Sequence, residues 1–436
     1  MSTITVLHIA AHLGGGVGRA LSQLARYRRS VDSRIEDVFV CLELPRTVLY
    51  ADVIANCGAR LFVAPHAEEL DALVAEADIV QLEWWHHPLL AGWMSRCKIP
   101  PSRLVVWAHV SGLHYPVIPA AFSRLPFAFL LTSKVSLFEL VQDGKPRQNI
   151  LEVVNSTGGF DDLPLRRRET YTEPKFGYLG SLNPAKLHPD IDSYLDAVDL
   201  PGFSVDFYGD ASTNPRLCSR MKKAGPEPRF VLRGYTDRPG EALASMDVLV
   251  YLLNPMHYGT TENALLEAMA CGVVPVVLDN PVEKAIVENG KTGLVVDSPR
   301  SFAEAIAFIH ADPQERTRLS AASAAMVREQ YSVRDSAEQL ESVYLRVMDQ
   351  PKKAFDFGPV FGNSPADWFM SCLGRYSRIF ADPRGVGGHE TRRCHQLLYE
   401  KSKSSAFQFS SYFPKDPQLA DWAAMLEQDL IEMQGA

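Results

Sequence analysis

The sequence predicts an α/β chain: two doubly wound, Rossmann-like domains in tandem, facing a cleft, plus a C-terminal extension. Three observations predict it. Short β-rich runs alternate with helical stretches over the first 349 residues, the strand runs are nearly continuous in apolar residues, and the alternation breaks once before restarting. Strands that alternate with helices and are apolar on both faces belong to parallel sheets covered on both sides. At 436 residues the chain exceeds one ordinary core, so two or three domains are expected.

Ile4–His12 (ITVLHIAAH) reads as the first buried strand, and GGGVGRALSQLARY turns and enters a helix. Strand runs follow at Ile35–Leu44, Ala59–Pro65, Ala77–Trp84, Ser102–Val110, Phe127–Ser133 and Asn149–Ser156, with helical stretches such as AEELDALVAEA between several of them. The break is Gly158–Lys175, rich in Gly, Pro and charge, which reads as an interdomain linker. It separates a first domain over 1–160 from a second over 175–349, with 161–174 as the linker. In the second domain the runs are Lys175–Leu182, Phe203–Asp210, Arg229–Tyr235, Met246–Leu253, Val273–Asp279 and Thr292–Asp297, and long helices close it. Residues 350–436 are aromatic-rich and less periodic, too apolar for a disordered tail, and read as an appended module of mixed helix and loop. Ligands of open α/β sheets bind beyond the carboxyl ends of the strands, so both domains should aim those ends at one cleft.

A net charge of −8 argues against a general nucleic-acid binder, which needs clustered Lys and Arg. The local basic clusters, Arg26–Arg29 and Arg166–Arg168, read as solvated faces, with contact to an anionic partner as the lesser reading. Seven cysteines without a Cys-x-x-Cys pair argue against a disulfide framework or structural zinc and for a reducing compartment. Met1 is followed by Ser-Thr-Ile-Thr without a basic leader, and no run reaches the roughly 18 apolar residues of a membrane span. A cytoplasmic protein is expected; nothing in the sequence supports peripheral membrane contact, and its oligomeric state is left open.

Two stretches carry candidate chemistry. In LGGGVGRAL, Gly14, Gly15, Gly16 and Gly18 follow the first strand and open a helix, so the backbone can approach an anion. A tight turn without a ligand is the alternative; the Walker pattern is missing, because Arg19 and Ala20 follow Gly18. A dinucleotide site would want an acid ending the second strand, a position Glu43 could fill. In HYGTTENALLEAMACGVVPVVLDN, two acids, Glu262 and Glu267, flank the start of a helix whose first N–H groups can meet a diphosphate. In the plainer reading Leu265, Leu266 and Met269 face the core and both acids face water. EWWHHPLLAGWM, at a strand end, reads as core or interface packing, with an acceptor surface as the alternative. His389, Glu390, Cys394 and His395 cluster without a metal-ligand spacing, and no metal is expected.

Leu265–Val296, LLEAMACGVVPVVLDNPVEKAIVENGKTGLVV, closely resembles the donor-site segment of retaining GT-B glycosyltransferases of family four, the group 1 glycosyl transferases. In the same order, GGGVGRAL, WAHV, VVNSTGGF, GYLGSLNPAKLHPD and MDVLVYLL are similar to that family's other landmarks. The resemblance implies a GT-B fold and a nucleotide-diphosphate sugar as co-substrate, with no cofactor. Glu267 would hold the donor ribose, and Lys186 the diphosphate, with backbone N–H groups of Asn263, Ala264 and Leu265. His109 would act near the reacting sugar, and Gly15 and Gly16 would let their loop approach the sugar or diphosphate. Two departures stand out. The family's Glu-x7-Glu motif has Gly259 where its first acid belongs, and Ser181 replaces a diphosphate arginine. Arg233 or Arg19 could substitute for that arginine, while Glu262 could reach the sugar in a catalytic role or cap the helix.

The function implied is retaining transfer of a sugar to an acceptor hydroxyl on a glycan, lipid-linked or small-molecule acceptor, in glycan or polysaccharide biosynthesis. The alternatives are a non-catalytic GT-B-like scaffold, a sugar-nucleotide epimerase, a phosphorylase and, more distantly, a Rossmann oxidoreductase.

Overall fold

The structure is a computed structural model of the chain and describes residues 3–45, 48–96, 99–141, 144–160, 162–165, 173–212, 214, 217, 229–381, 396–401 and 403–435. The cluster Arg166–Arg168, most of the expected linker, and His389, Glu390, Cys394 and His395 lie outside the described residues. The chain divides into two compact units, Met1–Gly159 with Tyr258–Thr261 and Val333–Ala436, and Phe160–His257 with Glu262–Ser332.

Every expected strand run carries a strand. In the first unit these are β1 (Ile4–Ala10), β2 (Ile35–Cys41), β3 (Arg60–Val63), β4 (Ile79–Trp84), β5 (Leu104–Ala108), β6 (Ala128–Leu131) and β7 (Ile150–Val153). They form one parallel sheet in the order β3-β2-β1-β4-β5-β6-β7. The order reverses between β1 and β4, the switch point beside which such sheets bind ligands. The second unit holds β8 (Phe176–Leu179), β9 (Val205–Tyr208), β10 (Phe230–Gly234), β11 (Val248–Tyr251), β12 (Val274–Leu278) and β13 (Leu294–Val296). Its parallel order is β10-β9-β8-β11-β12-β13, with the switch between β8 and β11.

Central strands such as β5, β11 and β12 are buried at every residue. Each large aliphatic side chain so buried contributes about 1.5–3 kcal/mol, which fixes the register of both sheets. Helix Val333–Met348, which the sequence placed at the end of the second domain, counts with the first unit. Its stripe of Leu340, Val343, Tyr344 and Val347 packs into the first sheet's core with Leu21 and Leu24. Residues 350–436 count with the first unit too. Phe369, Phe380, Phe409 and Trp422 form an aromatic cluster within them. Among the described residues no helix is long and apolar enough to cross a membrane.

Candidate functional site

In the first unit, His109 directly follows β5, and its N–H donates to the Trp84 carbonyl at 2.8 Å. Its Nε2 meets Glu83 Oε2 at 2.7 Å, and Glu83, on β4, is fully buried. The other Glu83 oxygen takes His8 Nδ1 at 2.8 Å and the Gln81 amide at 2.8 Å. His8 Nε2 continues to Asp37 at 3.0 Å, and Arg28 pairs with that carboxylate at 3.1 Å. Neighbouring parallel strands place these side chains together: His8 stands on β1, Asp37 on β2, and Gln81 and Glu83 on β4.

Buried charge is costly unless paired, and here it alternates in sign. Burial works to lower the His8 pKa, but hydrogen bonds and charge from Asp37 and Glu83 raise it to about 9. Burial likewise favours neutral Glu83, yet bonds from His109 and His8 bring it down to about 2. Asp37 is also held below the usual carboxylate range, because Arg28 and His8 outweigh its burial. With Nε2 engaged by a carboxylate, His109 is left with Nδ1, which is buried and has no hydrogen-bond partner among the described residues.

Arg28 corrects one expectation: it is buried and stacked over Tyr344 rather than lying on a solvated face. The glycine-rich turn opens helix Gly15–Ser30, where Gly15 has φ +59° and Gly16 is exposed. Gly18 has another role, because a Cβ there would lie 2.3 Å from the Leu13 carbonyl oxygen. Arg19 reaches the Gly159 carbonyl at 3.3 Å. Of EWWHHPLLAGWM, Trp84 and Trp93 are core, whereas Trp85 is half-buried.

In the second unit, Lys186 and Glu262 find each other. The ammonium sits 2.6 Å from both carboxylate oxygens, and both side chains are buried. Tyr251, ending β11, donates to Glu262 at 2.7 Å. His257 lies 3.7 Å from Glu262 through Nδ1 and 3.0 Å from Glu283 through Nε2. Burial pushes Glu262 upward, but the Lys186 charge, His257 and these hydrogen bonds bring it to about 2. The Tyr251 hydroxyl is pushed well above its usual value by burial and by Glu262.

Glu262 precedes helix Asn263–Ala270 but makes no side-chain cap, so the capping alternative fails. The reading that put both acids in water fails as well, since Glu262 and Glu267 are 5% and 7% exposed. Leu265, Leu266 and Met269 face the core as expected, and Ala264 packs partly against it. Asn263 Oδ1 is buried without a hydrogen-bond partner among the described residues. Arg233, on the edge strand β10, pairs with Asp206 at 2.9 Å and is not brought to Lys186 and Glu262. Gly259 lies in Tyr258–Thr261, which counts with the first unit. There Ser111 N–H donates to Tyr258 O, and the Thr132 and Thr260 hydroxyls pair at 2.9 Å.

Residues 165–326 match the family model described as Glycosyl transferases group 1. No curated protein matches the sequence. Among solved structures, Anabaena Alr3699/HepE in complex with UDP-glucose is 16% identical with a TM-score of 0.64, covering 79% of this chain and 100% of that one. Sucrose-phosphate synthase from Thermosynechococcus elongatus is 15% identical with a TM-score of 0.57, covering 79% and 99%. The pneumococcal O-GlcNAc transferase GtfA in complex with UDP and GlcNAc is 13% identical with a TM-score of 0.56, covering 80% and 100%. The fold is that of the GT-B glycosyltransferases. The matched segment contains Lys186, Glu262 and Glu267 but neither His109 nor the glycine-rich turn. Sequence reasoning missed His8, Asp37, Glu83, Tyr251, His257 and Glu283. The available signal was polar residues inside otherwise apolar strands, as in His8, Gln81 and Glu83.

Proposed function

We propose that the chain is a retaining glycosyltransferase that moves a sugar from a nucleotide-diphosphate donor to an acceptor hydroxyl. The observation that carries this reading is the buried Lys186–Glu262 pair at the start of helix Asn263–Ala270, inside the segment that matches the family model. A leaving nucleoside diphosphate develops negative charge. A fixed cation and the partial positive charge of a helix N-terminus stabilise it without reorganising at the moment of reaction. Lys186 and the N–H groups of Asn263, Ala264 and Leu265 take that part, Glu267 holds the ribose, and Glu262 contacts the sugar. Gly15 and Gly16 let the first unit's backbone approach a ligand, and His109 Nδ1 accepts from a sugar hydroxyl. The leaving phosphate takes the acceptor proton, so no dedicated general base and no cofactor are assigned; the reaction belongs to cytoplasmic glycan synthesis.

Thermal-shift screening against UDP-, GDP-, TDP- and ADP-sugars tests this, with UDP-sugars first because Anabaena Alr3699/HepE was solved with UDP-glucose. A stabilising donor whose effect is weakened by both Glu267→Ala and Lys186→Ala supports the site; an unchanged response in both variants sinks it. The anomeric configuration of the product, read by NMR, decides retention. The rival, a binding protein without turnover, draws on Gly259, on Ser181 and on an Arg233 already held by Asp206. Donor binding with neither transfer nor hydrolysis would favour that rival.

A further inference from the structure

Behind the Lys186–Glu262 pair stands a second charged pair that the donor chemistry does not use. His257 Nε2 bonds one Glu283 oxygen at 3.2 Å and lies 3.0 Å from the other, while Nδ1 faces Glu262 at 3.7 Å. Glu283, on helix Pro281–Ile286 after β12, is fully buried, and His257 is nearly so. All four side chains belong to the second unit.

The backbone holds them in register at the carboxyl ends of β8, β11 and β12. The Lys186 carbonyl accepts the Asn254 N–H at 2.8 Å, and Leu187 bridges to Leu253, so the loop after β8 runs beside the turn after β11. That turn closes with the His257 N–H on the Asn254 carbonyl at 2.9 Å. Asn280, just before the helix that carries Glu283, reaches the Leu253 carbonyl at 3.4 Å.

This placement sets up a conflict. Glu262 takes the Lys186 ammonium with both oxygens at 2.6 Å, and its negative charge opposes any diphosphate brought to that ammonium. A diphosphate can draw Lys186 over only if the buried Glu262 charge keeps a counter-charge. Tyr251 gives Glu262 a hydrogen bond at 2.7 Å but no charge. His257 can give both, because a ring with a carboxylate at each nitrogen serves the two only with a proton on each. Glu283 fixes the ring from the far side. At 3.7 Å, Nδ1 stands just beyond a hydrogen bond to Glu262, and a shift of less than about 1 Å closes it.

We propose that His257, anchored by Glu283, is a positioning residue for donor binding, which holds the Glu262 carboxylate while Lys186 passes to the diphosphate. Taking the anion to be a nucleoside diphosphate rests on the transfer reading; the exchange of partners at Glu262 does not involve the sugar.

Isothermal titration calorimetry of the full chain with UDP, GDP, TDP and ADP, and with the monophosphate of whichever binds tightest, tests this with no sugar present. The diphosphate should bind about tenfold or more tighter than its monophosphate. His257→Gln and His257→Ala, in whichever variant keeps the parent's near-ultraviolet circular dichroism, should weaken the diphosphate about tenfold and leave the monophosphate within about twofold. In a Glu262→Gln background no carboxylate needs a counter-charge, so the same His257 substitutions should have no effect. Equal losses in both backgrounds, or equal weakening of the two nucleotides, overturn the proposal. So does a chain that binds none of the four diphosphates. A chain that shows the expected cycle but transfers from no nucleotide sugar sinks the transfer reading and leaves the role of His257 standing. A working transferase whose diphosphate affinity ignores His257→Gln does the reverse.

Discussion

Glu83 holds His109 through one carboxylate oxygen at 2.7 Å and His8 through the other at 2.8 Å. The ring proposed to meet the sugar is therefore oriented from behind by a buried carboxylate, itself neutralised by a charged histidine. Glu83 is a positioning residue, since its effect runs through His109. Glu83→Gln is expected to lower kcat roughly 100-fold with donor KM little changed. The check is a double-mutant cycle: His109→Ala with Glu83→Gln should be no slower than His109→Ala alone. Additive losses would show that Glu83 acts by some other route.

The same chain of charges makes stability depend on pH. The folded His8 pKa of about 9 lies above its ordinary 6.5, so its contribution is complete below pH 6.5 and is lost as pH rises through about 9. Linkage makes this about 3 kcal/mol over that window. Glu83, depressed from 4.5 to about 2, contributes above pH 4.5 and loses that contribution as pH falls through about 2. Urea denaturation between pH 5 and 10, the window chosen from the His8 shift, should show the alkaline decline in the parent and not in His8→Gln. An equal decline in both would assign it to other groups.

Removing one half of a buried ion pair strands the other. With Lys186 and Glu262 both buried and 2.6 Å apart, Lys186→Met and Glu262→Leu should each cost about 3–5 kcal/mol. The double variant is expected to be more stable than either single one, because no charge is left uncompensated. Denaturation midpoints of the three variants measure this. A double variant as unstable as the sum of the singles would mean that the pair is not the unit that matters.

The strands were legible because burial on both faces writes itself as an apolar run, as in Val274–Leu278. The partnership of His8 with Glu83 was not, since 75 residues separate them and only the β1–β4 pairing makes them neighbours. Helix Val333–Met348 shows the same limit: its apolar stripe announces a helix but does not say which sheet receives it. Arg28 read as one of a basic cluster because its partner, Asp37, stands on another strand. Glu262 and Lys186 were each picked out as ligand contacts. That they hold one another depends on the loop carrying Lys186 meeting the end of β11, which spacing along the chain does not encode.

The glycines of LGGGVGRAL differ in their surroundings, and stability measured against affinity tells their roles apart. At Gly18 an added Cβ would meet the Leu13 carbonyl oxygen at 2.3 Å and Tyr50 at 2.8 Å, so Gly18→Ala should cost about 1–3 kcal/mol. Gly15→Ala places a side chain at φ +59° with open space around it, a backbone cost of about 1–2 kcal/mol. Gly16 is exposed within the helix, where alanine is the better helix former, so Gly16→Ala should leave stability unchanged or slightly higher. If the turn meets a ligand, Gly16→Ala nonetheless weakens donor binding, because its methyl group stands where the ligand approaches. Denaturation midpoints and donor titrations on the three variants decide between the roles. Unaltered donor affinity in Gly16→Ala would make this turn a packing device, with Gly18 as its reason for being glycine-rich.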